Sequence, residues 1–242
     1  MECYIILDAI SESIYSKFFS LVNRVIIIVV NFLETTEMQK YLKGTTTLAF
    51  ICKDGVVVGS DTRSTMGFLI SDKKSKKIYN IDDRMALTTA GLVGDNVTLV
   101  RIMKAQAALS RLEKKPLTVK GAANLLSNIL YSRRGFPFMV QLVLAGYDSE
   151  PHVYELDAVG GMSEKSVSAT GSGSPTAYGV LESEYSEGMS MEDGIKLATK
   201  AVKSAIERDA ASGNHIDIVT VTKDGYAEVP QETIKEILKS FE

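Results

Sequence analysis

Strands that arrive in runs and helices that arrive in pairs predict an α+β fold in which two β-sheets lie face to face, each covered by helices. Three features of the 242-residue sequence carry this expectation. Short β-branched runs are punctuated by Lys-Asp-Gly turns, two pairs of helices each show one apolar stripe, and the strict strand–helix alternation of a doubly wound parallel sheet is missing. At 45% hydrophobic and 24% charged, the chain suits one domain with a sizeable core.

The elements follow in order. "TTTLAFICKDGVVVGSD" reads as two strands joined at Lys53-Asp54-Gly55, where glycine would supply the positive φ of a hairpin turn. "KKIYNID" and "RMALTTAG" add two more strands, with Asp82 and Asp83 at their bend. Asp95 or Asn96 is placed to cap a helix carrying Leu99, Ile102, Met103 and Leu109, which Pro116 prevents from continuing. Thr118 opens a second helix, with Ala122, Leu125, Leu126, Ile129 and Leu130 on one face before Gly135.

Strands resume in "FMVQLVLAGYD", "HVYELDA" and "SVSATG". Another helical pair spans about Pro175 to Tyr185 and Ser190 to Arg208, the latter striped by Ile195, Ala198, Val202 and Ile206. "HIDIVTVTKDGYAEV" is a second Lys-Asp-Gly hairpin, and Gln231 to Phe241 forms a terminal helix.

Several functions are poorly supplied. A net charge of −3 gives no electrostatic footprint for nucleic acid. Cys3 and Cys52 make no disulfide framework or CxxC site, and His152 and His215, far apart, offer neither a metal pair nor a triad base. "TGSGSP" lacks the Gly-Lys-Ser/Thr of a phosphate loop, and "GLVGD" lacks dinucleotide spacing.

The segment from Met1 to Lys43 differs from the rest. Its run "VIIIVV", Val25 to Val30, falls short of the roughly 20 residues of a membrane span. Glu2, Asp8 and Glu12 stand where a secretory leader would be basic. It reads as a removable leader or an over-long start.

The composition break near Gly44 precedes "GTTT". By itself this is a strand start rich in β-branched residues. A threonine at the head of a chain, however, carries a hydroxyl nucleophile and an α-amine base in one residue, because that amine titrates near pH 7.7–8.0. A leader would hide the amine until it is removed.

Six pieces in register, "GTTTLAF", "GSDTRST", "KKIYNID", "TTAGLVGD", "ATGSGSPTAYGVLE" and "RDAASGNHIDIVTVT", resemble the proteasome β subunits. The nearest likeness is to the archaeal 20S type, among the N-terminal-nucleophile hydrolases, and it covers residues 44 to 230. The resemblance implies a four-layer αββα sandwich, with residues 1–44 a leader and 45–242 the catalytic domain. It implies Thr45 as nucleophile and Gly44 as the residue cleaved from it, with Asp61 and Lys77 as its acidic and basic partners. Gly91 would supply the oxyanion N–H, and Ser172, Asp209 and Ser212 would orient the new amine. Thr65, Thr89, Gly91 and Val93 would contact substrate.

Taken singly, these residues read more plainly: Asp61 as a strand-end cap, Lys77 as a solvated charge, Ser172 as a loop hydroxyl. Lys76 is the adjacent decoy, because alternation sends only one of the two lysines inward. Thr89 and Val93 are uncharged, which predicts cleavage after uncharged, apolar residues. The resemblance further implies a threonine endopeptidase without metal or cofactor, acting on unfolded polypeptides inside seven-membered β rings stacked on α rings. A regulatory ATPase would act through the α ring, in the cytoplasm, without nucleic acid or membrane. "MQKYLKG", from Met38, matches a complete short propeptide of this family, and the apolar stretch upstream would be an aggregation liability; Met38 is therefore the expected start. The alternative is a structural ring subunit without turnover, which would usually have lost the threonine or the lysine. A small-amide hydrolase of the same class is disfavoured by the ring-type motifs outside the site.

Overall fold

The computed structural model describes residues 44–241. The expectations about the Val25–Val30 run, the start at Met38 and the rest of the leader through Lys43 lie outside the described residues. The elements run β1 (Thr47–Cys52), β2 (Gly55–Asp61), β3 (Ser64–Met66), β4 (Leu69–Asp72), β5 (Ile78–Asp82) and β6 (Met85–Gly91). Helices α1 (Val93–Leu112) and α2 (Val119–Ser132) follow, then β7 (Val140–Tyr147), β8 (Pro151–Leu156), β9 (Met162–Glu164) and β10 (Val167–Thr170). Helices α3 (Ser174–Glu184) and α4 (Met191–Arg208), strands β11 (Ile216–Thr222) and β12 (Gly225–Glu228), and α5 (Gln231–Lys239) complete an α+β fold.

Two five-stranded sheets form, in orders β10-β1-β2-β11-β12 and β5-β6-β7-β8-β9, with β3 and β4 pairing separately. Every pairing is antiparallel. Side-chain alternation then decides which core each residue enters. On β2, Val56 and Val58 join Ala49, Ala86, Val143 and Val219 in a cluster drawn from both sheets, while Val57 faces a cluster with Leu197, Ala201 and Val202 of α4. On β6, Leu87 packs with Leu99 and Met103 of α1 and Leu126 of α2. Each fully buried Val, Leu or Met among them contributes about 1.5–3 kcal/mol.

Thr118, expected to open α2, caps it by accepting a hydrogen bond from the Gly121 N–H (3.0 Å), and Ser190 lies just outside α4 and caps it by accepting from the Asp193 N–H (3.1 Å). Three expectations need correction. Helix α1 begins at Val93, ahead of Asp95 and Asn96, and its N-cap Leu92 makes no side-chain cap; Asp95 instead accepts from the Met139 N–H at 2.8 Å. Gly55 lies outside the left-handed region, which Gly225 of the second hairpin does occupy at φ 119°. What restricts Gly55 is packing, since a Cβ there would lie 2.4 Å from the Val221 carbonyl oxygen. The β3–β4 hairpin and β9 are additional to the strands read from sequence. No helix among the described residues is long and apolar enough to cross a membrane.

Candidate active site

Thr45 and Thr46, just ahead of β1, and Thr47, its first residue, are all buried, but they are held differently. Thr47 Oγ1 bonds Thr170 Oγ1 at 2.6 Å, tying β1 to β10. Thr46 Oγ1 bonds Ser212 Oγ at 2.7 Å, tying the strand to the loop after α4. Thr45, 8% exposed, donates its hydroxyl to the carbonyl of Gly44 at 2.7 Å. Their hydrogen bonds thus assign the second and third threonines to the scaffold and leave the first facing its own preceding carbonyl.

Asp61 ends β2 with no exposed surface. Oδ1 accepts from the Thr46 N–H at 2.8 Å and from Lys77 Nζ at 2.7 Å. Oδ2 accepts from the N–H groups of Arg63 at 3.0 Å and Gly213 at 2.9 Å. Four donors saturate the carboxylate, three of them backbone groups from separate segments. The strand-end reading of Asp61 is therefore replaced: it ties those segments together and holds the lysine.

Lys77, 5% exposed, also donates to the Gly44 carbonyl at 3.1 Å. Burial pushes its ammonium below the ordinary lysine range, and Asp61 opposes that shift by favouring the charged form. The solvated reading belongs instead to Lys76, whose Nζ meets Glu228 at 3.2 Å with both side chains more than half exposed.

The polar group expected around Ser172 also assembles. Ser172 Oγ donates to Asp209 Oδ2 at 2.5 Å, and Ser212 Oγ donates to the same oxygen at 2.7 Å. A hydroxyl has one proton. With that proton spent on Asp209, the Ser172 oxygen presents lone pairs to the Thr45 nitrogen, 3.4 Å away. The glycines of this loop permit the approach: Gly171, at φ 89°, has no room for a Cβ, which would lie 2.1 Å from the Thr45 carbonyl oxygen.

Thr65, Thr89, Gly91 and Val93 line one cleft with Gly44, Thr45 and Lys77, and Ser64, Ser75, Lys76, Tyr79 and Asn96 join them. Thr89 and Gly91 reach it from one face of β6, two residues apart, as strand geometry requires. Gly91 has φ 118°, and a Cβ there would stand 2.0 Å from the Met139 carbonyl oxygen. Its side chain is thus excluded by the neighbouring backbone, a reason independent of any substrate.

Arg63 was not anticipated from sequence. Its Nε donates to Asn214 Oδ1 at 3.0 Å and its Nη1 to the Ala210 carbonyl at 2.9 Å, clamping the loop that bears Asp209 and Ser212. The partners lie 147 and 151 residues away, so no local pattern announces them. "RDAASGN" and "DTRS" each held half of the signal.

A buried threonine–lysine–carboxylate cluster at the head of an antiparallel sheet, within an α+β fold, leads to one family. Residues 41–221 match the family model described as "Proteasome subunit", and the chain belongs to that family. Within it the chain is a β subunit of archaeal type. It is 52% identical over 207 residues to the proteasome subunit beta of Methanothrix thermoacetophila, covering 84% of this chain and 100% of that protein. It is 48% identical to that of Methanosarcina barkeri, covering 84% and 98%, and 49% identical to that of Methanocaldococcus vulcanius, covering 81% and 90%. The family is one of proteases.

Proposed function

We propose that this chain is a catalytic β subunit, a threonine endopeptidase whose nucleophile is Thr45 after self-cleavage from Gly44. The observation that carries the reading is the disposition of the Gly44–Thr45 bond. The Thr45 hydroxyl and the Lys77 ammonium both lie on the Gly44 carbonyl, with Asp61 holding the lysine in place. Attack of Oγ1 on the Gly44 carbonyl carbon shifts the acyl group from nitrogen to oxygen, and water then hydrolyses the ester. Lysine polarises the carbonyl in that step.

Once Gly44 has left, the Thr45 nitrogen is a free amine beside Ser172 and can take the hydroxyl proton during attack on a substrate carbonyl. The departing peptide amine receives that proton, and water resolves the acyl ester. Lys77 remains as a buried cation near the developing charge, an arrangement that contributes most where water is excluded. Gly91 is assigned the oxyanion N–H, and Thr65, Thr89 and Val93 the substrate contacts, because they line the cleft that holds Thr45.

Family membership supports the wider reading: a four-layer αββα fold, heptameric β rings with α rings, a chamber admitting unfolded polypeptides, a cytoplasmic particle and an ATPase acting through the α ring. The fold supports it through one apolar cluster shared by the sheets and one between each sheet and its helices. On this account Met38 is the start and residues 38–44 are the removable leader. Peptide hydrolysis by assembled particles tests the activity. Thr45→Ala should abolish it and Thr45→Ser, which keeps a hydroxyl and amine, should retain a measurable part; full activity in Thr45→Ala would refute the assignment.

A further inference from the structure

The turn between β7 and β8 carries Asp148 and Glu150, and His152 follows at the start of β8. No metal pair or triad claims this histidine, and the candidate active site does not use it. It lies at the far end of the sheet from that site: His152 is opposite Gly146, and Gly146 is opposite Met85, at the end of β6 remote from Gly91.

The imidazole, 16% exposed, sits between two carboxylates. Its Nδ1 is 2.7 Å from Glu164 Oε1 on β9, and its Nε2 is 3.3 Å from Asp148 Oδ1 in the turn. The ring also stacks on Tyr154, with 5.9 Å between centroids. A neutral imidazole has a single N–H, so one of the two carboxylates would then face a ring lone pair. Imidazolium donates to both. Neither carboxylate supplies the missing proton near neutral pH, because both titrate below the ordinary range. The hydrogen bond from His152 holds Glu164 down, and at Asp148 the cost of burial is outweighed by the backbone N–H groups of Val119 and Ser149. Among the described residues, the other charges acting on this cluster are Glu150, on Tyr154, and Lys120 of α2, on Glu164.

Topology shows what this arrangement fastens. β9 has three residues, stands at the edge of its sheet and pairs with β8 alone. Asp148 meanwhile accepts from the N–H of Val119, the first residue of α2, at 3.0 Å. The charged ring therefore joins α2, the turn and β9. We propose that His152 is a pH-sensitive latch: as imidazolium it fastens β9 to the β7–β8 turn, and loss of its proton releases β9. The tie is present while the ring is charged and is lost as pH rises. Release uncovers the edge of β8, a row of backbone groups open to another chain. The latch is remote from the proposed peptidase site and does not depend on that reading.

Hydrogen exchange of assembled particles, corrected for intrinsic rates and followed from roughly pH 5 to 9 across the imidazole titration, tests it. In wild type, protection of the amides in residues 154–164 should fall about tenfold as pH rises, along a one-proton curve, while protection in β6 stays level. His152→Gln, which keeps hydrogen-bonding groups but no titrating charge, should show the lower protection throughout. Glu164→Gln, which keeps an acceptor without its charge, should release at lower pH than wild type. Peptide hydrolysis by both variants should match wild type at each pH. A flat wild-type profile, which needs no variant to observe, overturns the inference, as does a fall that persists in His152→Gln. Neither readout requires turnover, so failure of the latch and failure of the peptidase reading are told apart.

Discussion

Lys76 and Lys77 are neighbours in sequence, and each meets one carboxylate, yet they do different things. Lys76 pairs with Glu228 at 3.2 Å in solvent, and Lys77 pairs with Asp61 at 2.7 Å almost out of it. Exposed pairs are screened and contribute about 0–1 kcal/mol. A buried pair is costly to assemble, and removing one partner leaves an uncompensated charge, at about 3–5 kcal/mol. What separates the lysine proposed to act in catalysis from its neighbour is burial and the carbonyl it faces, since pairing is common to both.

Breaking the buried side should have the largest effect. Asp61→Ala strips the anchor from the Thr46, Arg63 and Gly213 backbones as well as from Lys77, and should cost about 3–5 kcal/mol of stability together with all peptide hydrolysis. Lys77→Ala should cost less stability, because three backbone N–H groups still serve the carboxylate, while lowering activity on the order of 10³-fold. Lys77→Arg should rescue little, the planar guanidinium being a poor substitute for a compact ammonium. At the exposed position, Lys76→Ala should change stability by less than about 1 kcal/mol and leave hydrolysis near wild type. Denaturant melts and peptide turnover measured on all four variants decide the matter, and equal losses at the two lysines would erase the distinction.

Arg63 sharpens the comparison from a different side, for it is a cation that works by positioning. Arg63→Met should loosen the loop carrying Asp209 and Ser212 and lower kcat roughly ten- to a hundredfold. KM should hold, since Arg63 does not line the cleft, and Arg63→Lys should recover only part of the loss because one ammonium cannot span Ala210 and Asn214 together. A rise in KM with kcat intact would place Arg63 in substrate binding instead.

How legible each part was follows from how local its cause is. The Lys-Asp-Gly hairpins and the opening of α2 at Thr118 depend on residues within three positions, and they stand where the sequence puts them. The β3–β4 hairpin did not declare itself because Met66, Phe68, Leu69 and Ile70 are all exposed, so no alternation marks a buried face. Helix α1 started early because Asp95 serves the Met139 N–H rather than its own helix. Residues 44–47 show the same division: the threonine run was visible at once, but which hydroxyl was free of scaffold duty required Thr170 and Ser212, more than 120 residues away.

The measurement closest to the central claim is the intact mass of this chain in purified, active particles, taken alongside Thr45→Ala. The account predicts a wild-type chain that begins at Thr45, and a Thr45→Ala chain that keeps residues N-terminal to position 45 unless a neighbouring subunit trims them. An active particle in which the Gly44–Thr45 bond is intact in every chain would contradict it.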